Sequence, residues 1–274
     1  TLAFVDPVKD ADAMRKAEIR ANREMVVEYN GRSEHLTLLN EQSLTAALLR
    51  LAHSADQKIM YVDGHGERKL DGKANHDLGD FGGKLKQNGF RISSLNLAIA
   101  QDVPANGSVL VITQPQIRLL PGEVDKILRY VDNGGNLLWL TEPNESAGLE
   151  KLSEYFGIET LPGIIVDAST QLFGIQNPDF VLVTEYPPHP VTRELRIMSL
   201  FPHTAALEWG QREGWEGQPL LSTLERAWTE TGALSGEIRF DAGGEERAGP
   251  LDIGFALTRT RENNATDAKS PSAT

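Results

Sequence analysis

Apolar residues follow two patterns along this chain, short continuous runs and stripes at helical spacing. The runs lie at Lys58–Val62, Ser108–Thr113 and Asn136–Leu140, as expected of strands buried on both faces. Between the second and third runs, a helical stripe predicts a helix that begins at Pro121 and ends before Asn133. This alternation of strand and helix predicts a mostly parallel sheet with right-handed crossovers and helices on both faces.

The N-terminal part carries a hairpin signal followed by a helix signal. Asn30-Gly31 separates the apolar segments Glu24–Tyr29 and Leu36–Leu39, and this dipeptide accepts the positive φ of a tight hairpin turn. Leucines at helical spacing then predict a helix that opens near Asn40.

The same patterns predict further elements, and the texture changes near Ile197. Helices are predicted around 78–88 and 149–156, and strands at 90–97, 164–166, 180–183, 198–201, 205–209, 219–222 and 252–257. The last four strands are short and separated by polar connections, with Asp241–Ala248 as an exposed loop. We therefore predict an N-terminal hairpin and helix packed on the core (1–56), an α/β core (57–195) and a β-rich extension of the same sheet (196–260).

Composition narrows the classes of function. The chain has 274 residues, a net charge of -12 and no cysteine. The acidic balance argues against a nucleic-acid footprint or docking on anionic lipid. The missing cysteine excludes thiol catalysis and cysteine-ligated zinc within this sequence, and it suits an extracytoplasmic compartment.

The two ends suggest a piece of a longer protein. The chain begins at Thr1 without a signal peptide, and residues 261–274 contain no strongly apolar residue. We expect this last segment to be a disordered tail or a linker.

The glycine-punctuated loop Asp63-Gly64-His65-Gly66-Glu67-Arg68 is the strongest candidate site. It follows a predicted parallel strand, and ligands of open α/β sheets bind beyond the carboxyl ends of strands. Its glycines permit close backbone approach, and its side chains supply an acid–base group and both charges.

Three other interpretations of this region stay open. The loop could be a polar turn whose His65 and Glu67 satisfy neighbouring backbone groups. It could belong to a hydrolase with His65 as general base, oriented by Glu67 or Asp63. It could form a carbohydrate-binding surface with the nearby run Asn75-His76-Asp77.

Other site chemistry has no support in the sequence. The six histidines form no metal-binding pair, so no metal and no cofactor is predicted. No G-x-S-x-G elbow, Walker A or G-x-G-x-x-G motif occurs. The stiff segment Tyr186-Pro-Pro-His-Pro190 is a sheet-exit loop or a partner-binding edge.

An ordered set of segments resembles the auxiliary-component family of ABC transporters typified by the gliding-motility protein GldG. The segments are Asn40–Arg50, Gly64–Glu67, Val109–Pro115, Tyr130–Leu140 and His189–Thr192. A related domain occurs in an intraflagellar-transport subunit. The resemblance covers roughly residues 1–258. It implies a flavodoxin-like sandwich similar to class I glutamine amidotransferases, with a β-rich C-terminal extension.

The resemblance also implies a function without catalysis. Amidotransferases of that class carry a nucleophilic cysteine where this chain has Thr141, and Thr141 without a base is a poor nucleophile. The expected role is ligand or partner binding, with Gln114, Thr141 and Glu142 joining the loop 63–68 as candidate binding residues. A sugar or a peptide is the expected ligand.

The expected surroundings follow from the same family. The domain would lie on the extracytoplasmic, periplasmic side of the inner membrane, held by transmembrane helices that this sequence does not contain. Its expected partners are the ABC permease and ATPase subunits of the same system. An exposed sheet edge or the Pro187-Pro188 segment is a candidate surface for a homodimer.

Overall fold

The computed structural model describes residues 2–6, 9–19, 23–52, 57–143, 146–236 and 238–260. The predicted tail 261–274 and His53 lie outside these residues. The chain divides into unit 1, Thr1–Thr113 with Gly135–Leu138, and unit 2, Gln114–Gly134 with Trp139–Thr274. Each unit therefore consists of two separate stretches of the chain, and the third predicted strand run, 136–140, is divided between them.

Helices and strands alternate through the first two-thirds of the chain, and strands dominate the rest. In order, they are α1 (Ala11–Lys16), β1 (Met25–Tyr29), β2 (Arg32–Leu36), α2 (Glu41–Ala52), β3 (Lys58–Val62), α3 (Gly79–Gln87), β4 (Arg91–Leu95), β5 (Val109–Thr113), α4 (Pro121–Asp132), β6 (Leu137–Leu140), α5 (Glu150–Phe156), β7 (Ile158–Thr160), β8 (Ile164–Asp167), a 3₁₀ turn (Thr170–Phe173), β9 (Phe180–Val183), β10 (Ser199–Pro202), β11 (Leu207–Trp209), β12 (Glu216–Ser222), β13 (Ala227–Glu230) and β14 (Asp252–Thr258).

The predicted hairpin is confirmed, with one shift in its second strand. Asn30 and Gly31 have φ of 49° and 76°, the positive values that a two-residue turn needs. Tyr29 therefore pairs with Arg32, and β2 runs over 32–36 rather than the predicted 36–39. The two-residue turn fixes this pairing register. The prediction placed the second strand too late because it followed the apolar residues at 36–39.

A parallel sheet forms the centre of unit 1. Its strand order is β4-β3-β5-β6, and β3 is parallel to both β4 and β5. Ile59, Tyr61, Leu70 and Val111 form a buried cluster on one face, against which Leu85 of α3 packs. The predicted α/β fold with a parallel central sheet is confirmed.

Helix α3 lies close to the backbone of Leu70, in the connection between β3 and α3, because it contains a buried glycine. A Cβ atom at Gly82 would overlap the carbonyl oxygen of Leu70, so only glycine fits. The next residue, Gly83, has open space around its Cα. Two adjacent glycines of one helix therefore have different roles, one in packing and one without a packing constraint.

The prediction that the strand at 136–140 is buried on both faces is wrong. Exposed and half-buried residues alternate along β6, with Leu138 and Leu140 exposed and Trp139 half-buried. The strand is outermost in the order β4-β3-β5-β6, and an outer strand is buried less than an inner one. The apolar run alone did not distinguish the two positions.

Unit 2 contains antiparallel strand pairs. The pairs are β7 with β11, β8 with β13, β9 with β10 and β12 with β14. Ile165, Val181, Ala206, Ala227 and Leu251 form their buried cluster. The predicted β-rich C-terminal extension is confirmed, but its strands pair within unit 2 instead of extending the parallel sheet. β7 and β13 were not predicted, because neither carries a continuous apolar run.

A cluster of polar and aromatic side chains holds the end of β14 to the helices of unit 2. Tyr155 donates a hydrogen bond to Asp132 Oδ1 at 2.5 Å. Arg259 donates to the Tyr155 hydroxyl at 2.9 Å and to Asp132 at 3.1 Å. The guanidinium also lies 4.7 Å from the centroid of the Trp215 ring, within cation–π distance.

Among the described residues, no helix is both long enough and apolar enough to cross a membrane.

Candidate ligand- or partner-binding site

The loop Asp63–Arg68 lies where the strand order of the sheet reverses. The chain passes from β3 to β4 on one side, and β5 then lies on the other side of β3. The carboxyl end of β3 is therefore a topological switch point, where open α/β sheets form a crevice. Asp63 donates its backbone N–H to Leu95 O at 3.0 Å, which aligns the ends of β3 and β4.

Glu67 closes this loop on its own backbone. Its Oε2 accepts hydrogen bonds from the backbone N–H of Gly64 at 3.1 Å and of His65 at 2.8 Å. The side chain of Glu67 is fully buried, while Gly64 and Gly66 are exposed. The carboxylate thus fixes the loop from inside and leaves its glycine backbone at the surface.

His65 lies against the same carboxylate. Its Nδ1 is 3.4 Å from Glu67 Oε1, and its side chain is only 10% exposed. The two groups form an ion pair when the imidazole carries its second proton. The two hydrogen bonds that Glu67 accepts are those expected if the loop is a polar turn whose side chains satisfy neighbouring backbone groups. The hydrolase interpretation stays a prediction, and it would need access to a ring that is largely covered.

Glycine at position 64 is required by two features. Its φ is 137°, and a Cβ atom there would lie 2.8 Å from Asn96 Nδ2. Asn96 follows β4 and accepts the backbone N–H of Ala98 and Ile99 at 3.0 and 3.3 Å. It holds a turn on which Ile99 is 84% exposed. Asn96 therefore lies against the loop and holds the turn that exposes Ile99, and sequence reasoning missed both residues.

Two further contacts fix the ends of the loop. Asp63 pairs with Lys69, with Oδ2 and Nζ 3.4 Å apart. Thr113, the last residue of β5, donates its hydroxyl to Arg68 O at 2.7 Å. The position of Thr113 at a strand end was visible in the sequence, but its contact with a residue 45 positions earlier was not.

Tyr61, the penultimate residue of β3, is a buried phenol close to the start of the loop in sequence. Tyr61 donates its hydroxyl to Asp71 Oδ1 at 2.6 Å. Burial, and then the neighbouring Asp71 carboxylate, raises the pKa of Tyr61 above its ordinary value. The phenol therefore stays protonated and acts as a hydrogen-bond donor that positions Asp71.

The run Asn75-His76-Asp77 has a structural role at Asp77. Its carboxylate accepts the backbone N–H of Lys69 at 3.0 Å and of Ala74 at 2.9 Å. These two hydrogen bonds lower the pKa of Asp77. A carboxylate engaged in this way shapes its own turn, whereas Asn75 and His76 are exposed. Nothing here favours a carbohydrate site over an ordinary turn.

Gln114, Thr141 and Glu142 belong to unit 2. Gln114 has φ of 27°, a conformation that non-glycine residues rarely adopt. Its backbone N–H donates to Leu140 O at 3.3 Å, which brings Gln114 beside the end of β6. The Thr141 hydroxyl donates to the adjacent Glu142 O at 3.5 Å. In the described residues, no hydrogen bond joins Thr141 to a histidine or a carboxylate side chain.

The described histidines each have a nearby partner of their own. His35 lies 2.7 Å from Glu24, His76 lies 3.8 Å from Asp77, and His203 lies 3.4 Å from Asp179. His189 Nδ1 accepts the backbone N–H of Val191 at 3.2 Å. Within the part of the chain that the structure describes, no three histidine, aspartate or glutamate side chains come together as metal ligands.

The fold is that of an α/β protein with a parallel sheet, and the loop 63–68 lies at the switch point of its strand order. The sequence profile described as an ABC-type uncharacterized transport system auxiliary component matches residues 56–247. The chain belongs to this family. The family predicted from the ordered motifs is thereby confirmed.

Three solved structures are similar to this chain. The mmIFT52 N-terminal domain is 15% identical, with 62% of this chain and 75% of that chain covered and a TM-score of 0.47. A glutamine amidotransferase from Thermotoga maritima is 10% identical, covering 61% and 67%, with a TM-score of 0.39. A ThuA-like protein from Bacteroides uniformis is 15% identical, covering 63% and 70%, with a TM-score of 0.35. Among curated proteins, no relative matches the sequence.

Proposed function

We propose that this chain is a non-enzymatic binding domain of an ABC-type transport system, as in gliding-motility-like systems. It acts on the extracytoplasmic, periplasmic side of the membrane, anchored there beside the permease and ATPase subunits of its system. The family supports the association with an ABC transport system. The loop Asp63–Arg68 is the proposed contact with a partner or with a sugar or peptide ligand.

The observation that carries this proposal is the bonding of Glu67 to the loop backbone. Two N–H groups, of Gly64 and His65, donate to one carboxylate oxygen. A loop fixed from inside loses little conformational freedom on binding, so its exposed backbone is preorganised for a partner. Its position at the switch point of the sheet supports the same role.

The polar chemistry around the loop favours binding over catalysis. The Glu67 carboxylate already accepts two backbone hydrogen bonds, and the His65 ring beside it is largely covered. The sequence has no cysteine, and among the described residues the one hydrogen bond of the Thr141 hydroxyl is to the adjacent Glu142 carbonyl oxygen at 3.5 Å. A nucleophile needs a base within hydrogen-bond reach.

Ile99 gives the proposed site an apolar contact. It is 84% exposed on a turn that Asn96 holds with two hydrogen bonds. The turn begins at Asn96, which lies against Gly64 of the loop, and an exposed apolar side chain on such a fixed turn matches the pattern of an interface anchor.

Site-specific photo-crosslinking in cells tests this proposal. A photoreactive amino acid at Ile99 reports on the proposed site, and the same amino acid at Asn88 is the matched control. Asn88 is exposed and precedes β4, so it lies at the opposite, amino edge of the sheet. We expect adducts with a membrane subunit of the ABC system from position 99 and none from position 88. Adducts only with cytosolic proteins, or equal adducts from both positions, would overturn the proposal.

A further inference from the structure

The outer edge of β4 carries hydrogen-bonding groups that face away from the sheet. Arg91 donates its N–H to Gln57 O at 2.9 Å, and Leu95 O accepts the N–H of Asp63 at 3.0 Å. Odd-numbered residues of β4 therefore face β3. Because the direction of backbone groups alternates along a strand, Ile92 and Ser94 direct their N–H and C=O outward. Within the described residues, β4 ends the sheet and no strand pairs with this side.

Helix α3 lies beside this edge and also presents an exposed surface. Leu85 of α3 and Ile92 of β4 pack on the same buried cluster. On the helix, Phe81 is 50% exposed, and Asp80, Lys84 and Lys86 are exposed. Phe81 is thus a half-exposed aromatic side chain on a helix that packs beside an open strand edge, and an open edge is where the strand of another chain can pair.

We propose that a second copy of this chain pairs with β4 along this edge, antiparallel and centred on Ser93. In that register, Ile92 of each copy exchanges both backbone hydrogen bonds with Ser94 of the other. Ser93 then faces the second Ser93 as a non-hydrogen-bonded pair, and Arg91 faces Leu95. The outward direction of residues 92 and 94 is the one that this register requires. The inference is independent of the proposed binding loop.

The charges on α3 also favour a second copy of this chain as the partner. A two-fold axis at Ser93 makes the two α3 helices antiparallel. Asp80 lies in the first turn of α3, and Lys84 and Lys86 lie in its last turn. The acidic end of each helix thus faces the basic end of the other, and the helix dipoles oppose each other favourably. The register also keeps the two Arg91 side chains from meeting.

The absence of cysteine from this sequence allows a register-specific test. In the proposed pair, the two Cα atoms at position 93 lie about 4.5 Å apart, which a disulfide can span. The two Cα atoms at position 94 lie about 8 Å apart, which is beyond its reach. On mild oxidation of the full 274-residue chain, we expect S93C to form a covalent dimer and S94C to stay monomeric in denaturing electrophoresis.

A second test changes one outward N–H group. Ser94→Pro removes this donor and leaves the backbone hydrogen bonds to β3 in place, because proline is tolerated where the N–H of an edge strand faces away from its neighbour. It also removes the Ser94 hydroxyl, which hydrogen-bonds Tyr61 of β3. Ser94→Ala is the matched control, because it removes the same hydroxyl and keeps the N–H. By sedimentation velocity, we expect Ser94→Pro to weaken dimerisation on the order of tenfold or more and Ser94→Ala to leave it unchanged.

Charge exchange on α3 keeps the proposal testable if the proline variant fails to fold. Asp80→Lys should weaken the dimer, and Asp80→Lys with Lys84→Glu and Lys86→Glu should restore it. A chain that is monomeric at all concentrations overturns the proposal. So does a dimer that forms no S93C crosslink and does not respond to the α3 charges, since that dimer would use another surface.

Discussion

Glu67 Oε2 lies 2.8 Å from the backbone nitrogen of His65, so the carboxylate that the sequence offers to a ligand is bound by its own loop. In the motif Asp63–Arg68, this hydrogen bond gives Glu67 a structural role within the loop. A buried carboxylate that accepts two backbone N–H groups orders the loop and leaves its two glycines exposed.

Removal of the Glu67 carboxylate should destabilise the fold. Glu67→Ala leaves the N–H groups of Gly64 and His65 without their acceptor, and we expect a loss of about 1–3 kcal/mol in the free energy of unfolding. Glu67→Gln keeps one acceptor oxygen and should lose less. Urea denaturation measures both. Glu154→Ala, at an exposed position, is the control, with a change within about 0.5 kcal/mol. Equal effects of the three variants would contradict the structural role of Glu67.

Alanine substitution at the two adjacent glycines of α3 should have opposite effects. Gly83→Ala meets nothing within 4 Å, and it should stabilise the helix by about 0.5–1 kcal/mol. Gly82→Ala would overlap the Leu70 carbonyl and should destabilise the fold strongly. Thermal unfolding of the two variants checks the difference. A stabilising Gly82→Ala would show that α3 does not pack against the backbone of Leu70 as described.

The contribution of Asp132 to stability should depend on pH. The Tyr155 hydrogen bond and then Arg259 lower the pKa of Asp132 below its ordinary value of 3.8. A carboxylate whose pKa is lowered by folding stabilises the folded state at pH values above its ordinary pKa. This contribution is lost as the pH falls through the pKa of the folded state. The stability difference between wild type and Asp132→Asn should therefore be largest near neutral pH and shrink below about pH 4.

Urea titrations at several pH values measure this difference. Glu154→Gln serves as the control at an exposed glutamate. An Asp132→Asn difference that stays constant from neutral to strongly acidic pH would count against the hydrogen bonds of Asp132 with Tyr155 and Arg259.

Loss of Arg259 should loosen the end of β14. Arg259→Ala removes a guanidinium that stacks on Trp215 and donates to Tyr155 and Asp132. We expect a loss of about 1–2 kcal/mol, together with a shift in tryptophan fluorescence. Arg259→Lys keeps the charge but not the planar fork, so it should recover only part of the stability. Full recovery by lysine would reduce the role of Arg259 to its charge.

The proposed extracytoplasmic location can be checked with one introduced thiol. Asn88→Cys places a cysteine at an exposed position of a sequence that has none. We use cells whose inner membrane is intact and whose outer layers admit small molecules. A maleimide that cannot cross the inner membrane should label this thiol without cell lysis. A matched thiol in a cytosolic protein is the control. Labelling only after lysis would exclude the proposed location.

The parts of the fold that depend on local signals could be predicted from the sequence. Asn30-Gly31 predicts its turn because both residues accept positive φ, and Pro121 with Asn133 marks the two ends of α4. The buried runs predict β3 and β5, since strands covered on both faces are continuously apolar. The loop at Asp63–Arg68 was found in the same way, from the strand that precedes it.

The sequence by itself determined the element types, most of their bounds, the family and the position of the candidate loop. Tertiary structure alone decided the partners of each strand and of each site residue. Only the strand order reveals that β6 is an outer strand, and only folding brings Thr113 to Arg68 and Asn96 to Gly64. The physical reason is range: turn and helix signals act within a few residues, whereas strand pairing and burial join segments far apart in the chain.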